Sequence, residues 1–530
     1  MQRLSVFFFS LFACVLMSAQ EVIDLTGSWD FAVGDSAVYR DFVQLPGSML
    51  TNGKGEQTER IWYQRSIYIP SGWKERHVTL LLERPSAETT VLVNGKKVGS
   101  VQARFTAHQY DVTDFLVHGQ RNQIVVSTPA AQGSWQGIAG RMELRAQPRD
   151  LYIERVQLHP HPFQGVVRIN VQLGGRINYL NSEVVEVLMQ RADVDSATIV
   201  SHYFPLNSRQ LNLVMPFDKE VAVWNEFYPH LYRIGISVGE DYYETTFGMY
   251  ETQIENHQPI LNGQNIYLRG VADQGQFPKT GYPSTDVESW LDTFRTYKDY
   301  GLNLVCFKGY CPPEAAFKAA DRLGIYLQPE VSSEEADQVM KAYIHHPSFL
   351  LMGGEYFPDS IRPAIHPIPS SGMDSDSLRL NYYKHEVEAG LLSDDNAGFE
   401  LQDFDEVSRL PAKQFHLFCS SVVPLVRFPK ADFTATDTLS VPVDVYNAIG
   451  DISPIRAAYF ITNEQRQVLA GGELSKKGIP LGKHVELGTV VVPFNSVPGP
   501  QKLTLTVTLG NKIANRWEFT SPKNDLQQPD

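Results

Sequence analysis

The sequence predicts a multidomain chain of β plus α/β class, in which one α/β segment is flanked by antiparallel β-units. Three observations carry this. From Asn265 to Glu355 short apolar runs alternate with amphipathic helical stretches, the pattern of parallel strands joined by right-handed crossovers. On both sides of that segment, short runs alternate apolar and polar residues at period two. At 530 residues the chain is also too long for a single core.

The elements follow in order. Arg3, the apolar run Leu4–Leu16 and Ser18-Ala19 form a secretory signal over residues 1–20, with cleavage near Ala19 or Gln20. Leu11-Phe12-Ala13-Cys14 departs from a lipoprotein box at Phe12, which leaves lipid anchoring as the less favoured alternative to release. No other run is long enough to span a bilayer. Residues 21–150 read as short alternating strands of an all-β sandwich, with Val93-Asn94-Gly95-Lys96 as a hairpin turn. Trp135, isolated on the glycine-rich loop Ala131–Gly140, either stacks on the apolar face of a sugar ring or plugs one end of the sandwich. Residues 151–257 supply the strands of a small immunoglobulin-like sandwich. His159 and His161 have no third ligand nearby and read as loop residues.

Residues 258–422 form the α/β domain. Ser284–Tyr300 is a helix with Thr285 and Glu288 spaced as a capping box and an apolar stripe of Val287, Trp290, Leu291, Phe294 and Tyr297. Gly301 ends it before the strand Leu302–Phe307. Pro312-Pro313 opens a second helix that Gly324 stops. Ser332-Ser333-Glu334-Glu335 caps a third, and Ser348–Glu355 reads as a fourth strand. Residues 357–377, rich in Pro, Ser and Asp, read as loop. Leu378–Leu392 is a helix on which Glu386 and Glu388 take the solvated face, and Ala397–Phe404 is a fifth strand. Residues 423–522 return to alternating strands, a third sandwich, and 523–530 are a tail.

The net charge of −14 and the absence of a basic stripe exclude a nucleic-acid partner. Outside the signal only Cys306, Cys311 and Cys419 remain, which fits neither a disulfide scaffold nor a four-cysteine zinc site. No metal or organic cofactor is indicated.

Motifs along the whole chain carry a resemblance. They include Leu25-Thr26-Gly27-Ser28-Trp29, Trp62-Tyr63-Gln64-Arg65, Leu82-Glu83-Arg84-Pro85, Trp135-Gln136-Gly137, Pro229-His230-Leu231-Tyr232, Leu268-Arg269-Gly270-Val271 and His345-His346-Pro347-Ser348. The chain resembles glycoside hydrolase family two, the β-galactosidase and β-glucuronidase family, in a Bacteroidetes-type branch. The resemblance implies a jelly-roll sugar-binding-like sandwich, an immunoglobulin-like sandwich, a (β/α) barrel and a C-terminal immunoglobulin-like sandwich. It also implies a retaining mechanism with two carboxyl groups ~5.5 Å apart.

Here the chain departs from the family. The acid/base candidate is Glu355, but the Asn that precedes it in the family is Gly354. Between Glu355 and Ala397 no strand-like run ends in a Glu, so the nucleophile is unknown. A full barrel needs ~200 residues or more, and Pro259–Cys419 offers only ~160, so the barrel is expected to be truncated. After strand two the family's Arg, His and Trp are replaced by Cys306, Lys308 and Tyr310. Glu330, Asp403 and Asp405 lie at or near strand ends, with Asp403 and Asp405 on opposite faces if the strand continues.

The resulting expectation is a secreted, periplasmic or extracellular carbohydrate-binding pseudoenzyme of this family. Substrate contacts are expected from Trp135, Lys308, Tyr310 and Asp403, and homo-oligomers could form through the open barrel edge. The alternative is an active exo-β-glycosidase with Glu355 as acid/base.

Overall fold

The computed structural model describes residues 21–130, 135–176, 184–194, 198–217, 221–353, 362–393, 396–428, 437–475, 477–494 and 500–521. The expected signal over 1–20, the tail and Glu355 with Gly354 lie outside the described residues.

Three antiparallel units result from the period-two alternation, because each strand has one apolar face that only a second sheet can cover. In the first unit a four-stranded sheet holds Glu21–Asp24, Arg76–Leu82, His108–Asp111 and Met142–Pro148. It shares a core with a six-stranded sheet built around Ile61–Ile69 and Gln120–Thr128, and Trp29, Tyr63, Leu80 and Val126 are fully buried between them. Asn94 and Gly95 both take left-handed φ, 51° and 78°, as a two-residue hairpin turn needs. The second unit packs a three-stranded sheet, Tyr152–His161, Val166–Gly174 and Gln210–Pro216, on a four-stranded one containing Val184–Arg191 and Leu231–Val238. The last packs Val422–Val426, Thr438–Asn447 and Gly482–Pro493 on four strands that include Ala457–Asn463 and Lys502–Leu509.

Between the second and last units lies a parallel sheet: β1 (Leu268–Asp273), β2 (Leu304–Phe307), β3 (Tyr326–Pro329), β4 (Ile365–Ile368) and β5 (Gly398–Leu401), in the order β3-β2-β1-β5-β4. Phe349–Gly353 runs parallel beside β3 through bridges at Leu327 and Glu330. Helices α1 (Val287–Asp299), α2 (Glu314–Leu323), α3 (Ser333–Tyr343) and α4 (Asp376–Leu391) lie between the parallel segments, and α5 (Phe404–Val407) follows β5. Trp290, Leu291 and Phe294 of α1 and Phe317 of α2 are buried against the sheet. Gly301, at φ 81°, ends the α1 turn where a Cβ would lie 1.4 Å from the Cys419 carbonyl oxygen, so no other residue fits.

Four local expectations are corrected. The α1 cap is Asp286, whose carboxylate accepts from Ser289 N (2.8 Å), while the Thr285 hydroxyl turns away to the Ala139 carbonyl. The stretch read as loop over 357–377 contains β4 and the start of α4. Its prolines are tolerated because β4 is the sheet's edge and leaves backbone positions unpaired. Glu388 is not solvated: the C-terminal unit covers it, and it accepts from Asn515 Nδ2 (2.6 Å) and Trp517 Nε1 (2.9 Å). The last parallel strand stops at Leu401 rather than running on to Phe404, because Asp403 turns the chain into α5.

Candidate functional site

The carboxyl ends of the parallel strands converge on one ammonium. Lys308 follows β2, Glu330 follows β3, and Glu400 lies within β5. Lys308 Nζ is 2.7 Å from Glu330 Oε1 and 2.9 Å from Glu400 Oε1. The Glu400 carboxylate also accepts from Gln402 Nε2. The local fold sets this up. Glu330 N donates to the Phe307 carbonyl (2.9 Å), which fixes the end of β3 beside that of β2. Gly353 stands opposite Glu330, where a Cβ would come within 2.2 Å of Glu330 Cγ. Burial opposes the charge on Lys308, but the carboxylates of Glu330 and Glu400 outweigh it and hold the ammonium above the ordinary lysine range. Beneath it burial, with Glu400 adding, pushes the Cys306 thiol well up, so this cysteine stays protonated and unreactive.

Two cavities meet at Lys308. One, about 360 Å³, lies over Glu330 and Glu400, with Met352 and Gly353 on one side and Ile365 and Pro367 on the other. The edge segments of the parallel sheet thus face each other across it. The second, about 240 Å³, opens between the first sandwich and the sheet and is lined by Arg84, Arg104, Phe105, Trp135, Lys308 and Tyr310 among others.

Three of the expected substrate-binding residues, Trp135, Lys308 and Tyr310, therefore share one cavity. Trp135 lies outside the sandwich core and rests on Tyr282, with ring centroids 5.1 Å apart and planes tilted by 49°. Tyr310 packs edge-on against Phe307 and Phe277. Burial and the facing Asp273 carboxylate raise its hydroxyl well above the phenol range. Asp403 lies elsewhere, spending its carboxylate as the α5 cap on Glu406 N (3.0 Å). Asp405 is exposed in the first turn of α5. His159 faces Asn170 Nδ2 at 3.2 Å, and no group of three or more His, Cys, Asp or Glu among the described residues could hold a metal.

Sequence reasoning missed Glu400, Arg84 and Arg104. Strands buried on both faces read as continuous apolar runs, so a lone Glu between Phe399 and Leu401 was the available signal. For the arginines no local signal exists, because their meaning depends on a contact between two domains.

Antiparallel sandwiches ahead of a parallel α/β sheet with carboxylates at its strand ends define a glycoside-hydrolase-like protein. The comparisons agree. Residues 10–141 match the sugar binding domain of glycosyl hydrolases family 2, and residues 437–520 match a domain of unknown function, DUF8488. The N-terminal match together with the relatives and structural neighbours supports kinship with glycoside hydrolase family two. It is 22% identical over 288 residues to a putative beta-glucuronidase of Formosa agariphila, covering 51% of this chain and 34% of that one. To a beta-galactosidase of Halalkalibacterium halodurans it is 21% identical over 306 residues, covering 55% and 30%. The match thus spans about a third of the length of these curated relatives. Among solved structures, a beta-D-mannosidase from Dictyoglomus thermophilum superposes with a TM-score of 0.71 at 12% identity, covering 94% of this chain and 89% of that one. A Bacteroides uniformis beta-glucuronidase does so at 0.59 and 15%, covering 94% and 80%. At these identities the structural likeness is one of fold.

Proposed function

We propose that the protein is an exported, carbohydrate-binding member of family two whose hydrolase centre is closed, a pseudoenzyme of the Bacteroidetes-type branch. In this reading the parallel sheet is a shortened (β/α) barrel, the first unit a jelly roll, and the second and last units immunoglobulin-like. Export to the periplasm or beyond rests on the N-terminal Arg3, Leu4–Leu16 and Ser18-Ala19 pattern.

The observation that carries the reading is Lys308. A retaining glycosidase needs one carboxyl free to give and take a proton and another free to attack the anomeric carbon. Glu330 and Glu400 are instead bound to a single ammonium at 2.7 and 2.9 Å. With both carboxylates engaged by one ammonium, neither is left free to attack an anomeric carbon or to carry a proton to a leaving group. The seam cavity with Trp135 and Tyr310 offers a ring-stacking surface beside polar groups, the usual composition of a sugar site.

One observation favours the second reading, an active exo-β-glycosidase with Glu355 as acid/base. Glu330 and Glu400 both reach Lys308, so two further carboxylates gather at the strand ends, where a nucleophile to partner Glu355 would be sought. A panel of aryl β-glycosides with wild type, Glu355→Gln and Glu400→Gln separates the two. The expected result is no turnover on any sugar together with glycan binding on an array. Turnover that either substitution abolishes would reinstate the enzyme.

A further inference from the structure

The first and second sandwiches meet at a pair of rings. His77 lies on the strand Arg76–Leu82 of the first, and Tyr152 opens the strand Tyr152–His161 of the second. Their rings lie flat on each other, with centroids 4.2 Å apart and planes 8° from parallel. Tyr152 has no slack on its other face. Gly174 stands opposite it in register, where a Cβ would come within 2.3 Å of Tyr152 Cζ. The phenol ring is thus clasped between an imidazole from one unit and bare backbone of the other.

The surroundings fix the form of the imidazole. The Thr113 hydroxyl donates to Asp111 Oδ1 and accepts from Val78 N (3.0 Å), so His77 Nδ1, 3.2 Å from Thr113 Oγ1, is a donor. Nε2 is left as the acceptor, 3.4 Å from the Thr79 hydroxyl. The neutral ring uses both nitrogens, and a proton can enter only at Nε2. Three carboxylates and one guanidinium act on the ring: Asp111, with Oδ1 3.8 Å from Nδ1, Glu154 of the second sandwich, Asp114, and Arg149 of the connecting segment, which is bonded to Asp114. Arg76, next along the strand, is turned to Glu21 and Glu240 (3.6 and 3.7 Å), and Arg209 acts on Tyr152. Burial opposes the cation most, Arg149 adds to it, and the carboxylates offset only part, so the imidazole is held below its ordinary range.

We propose that this clasp is an acid-sensitive joint, which holds the first sandwich against the second while His77 is neutral and loosens when Nε2 takes a proton. A group whose folded value lies below its unfolded one, here 6.5, contributes stability that is complete above the unfolded value and lost as pH falls toward the folded one. Gln147 Nε2 on Asp241 Oδ2 (3.0 Å) and the pairs Arg76–Glu240 and Arg176–Glu75 (3.7 Å each) also cross the joint. Burial pushes the Asp241 carboxyl up, so that group works in the opposite sense and gains as pH falls. His77 is therefore the member that gives way in mild acid. The first sandwich also brings Trp135 to the seam cavity, so the release acts on that wall.

The test is amide hydrogen exchange of the full chain at steps between pH 7.5 and pH 5, read by mass spectrometry and corrected for the intrinsic pH dependence. Peptides covering residues 149–155 and 171–175 are expected to open more readily by about threefold or more at the lower pH, while those over Thr438–Asn447 in the last sandwich stay unchanged. His77→Phe keeps a flat ring on Tyr152 and removes the proton site, so it should abolish the response. Asp111→Asn, at a largely exposed side chain, removes a carboxylate that favours the imidazolium and should move the midpoint to lower pH. It decides the matter if His77→Phe is already loose at pH 7.5. A joint that opens no more than the reference strand, a response that survives in a well-packed His77→Phe, or a midpoint unmoved in Asp111→Asn overturns the inference.

Discussion

Lys308 draws two acids from separate strands onto one ammonium, and its reach explains how. Glu400 lies on β5 and Lys308 follows β2, with β1 between them. Two strand spacings of ~4.8 Å separate the backbones, a gap that a lysine and a glutamate span only when both extend toward each other. With Lys308 and Glu330 about three-quarters buried and Glu400 7% exposed, removing the ammonium strands two carboxylates in a poorly solvated centre. Lys308→Met is expected to cost about 3 kcal/mol in a denaturant titration. Adding Glu330→Gln and Glu400→Gln to it should recover most of that loss, since charges removed together cost less than charges left unpaired. A triple variant no more stable than the single one would refute the account. Sequence reading singled out Lys308 and Tyr310 as replacements for a family His and Trp, but it passed over Glu400. A single acid in an apolar strand names no partner. Only the strand order supplies one.

At the scale of single elements, Glu406 ties the segment after β4 to α4 and α5. Its carboxylate accepts from Ser370 Oγ (2.7 Å), Ser371 N (2.8 Å), Ser371 Oγ (2.5 Å) and Tyr383 Oη (2.6 Å), with Arg379 Nε 3.2 Å away. Burial works against the charged form, but those donors outweigh it and pull the carboxyl down to about 2. Its folded value is thus below the unfolded one near 4.3. The stabilisation is complete above the unfolded value and lost as pH falls toward 2. Glu406→Gln should therefore lower stability at pH 7 by about 2 kcal/mol and flatten the fall in Tm between pH 5 and pH 2. An acid limb as steep as that of the wild type would count against this latch. The helices around it were legible: Ser332 and Glu335 form the expected capping box, and Gly324 closes α2 in the left-handed conformation. Where local reading failed, the missing information was tertiary. Glu388 sits mid-helix with no apolar stripe to mark it, and only the C-terminal unit makes that face an interior. β4 hid among prolines because edge position, which permits them, is not written in the segment.

Across the whole molecule, the succession of β and α/β segments can be read from periodicity, but the joints between them cannot. The main joint is Arg269. Its Nη2 meets Glu226 Oε2 of the second sandwich at 2.9 Å, its Nε donates to Gly301 O (2.6 Å) in the α/β domain, and its Nη1 reaches Tyr446 Oη of the last unit at 3.3 Å. Arg269 and Glu226 are 4% and 8% exposed. Burial opposes the charge on Arg269, yet Glu226 more than compensates and keeps the guanidinium fully ionised. Further bonds brace the same corner: Lys298 Nζ donates to the Glu226 carbonyl (3.1 Å), and Trp224 Nε1 donates to Asp321 O (2.8 Å). Arg269→Met would leave Glu226 buried and unpaired, at a cost of about 3–5 kcal/mol. Because the contacts to Glu226 and Tyr446 cross between units, that cost should fall on coupling more than on any one core. Scanning calorimetry is expected to show a single wild-type endotherm splitting in the variant, with the sandwiches melting apart from the α/β domain. Adding Glu226→Met removes the stranded charge without rebuilding the joint. It should raise the lowest transition and leave the splitting, because the coupling came from the guanidinium that touched all three units. An Arg269→Met endotherm that stays single, with unchanged Tm, would mean the units are joined by their apolar seams and not by this residue.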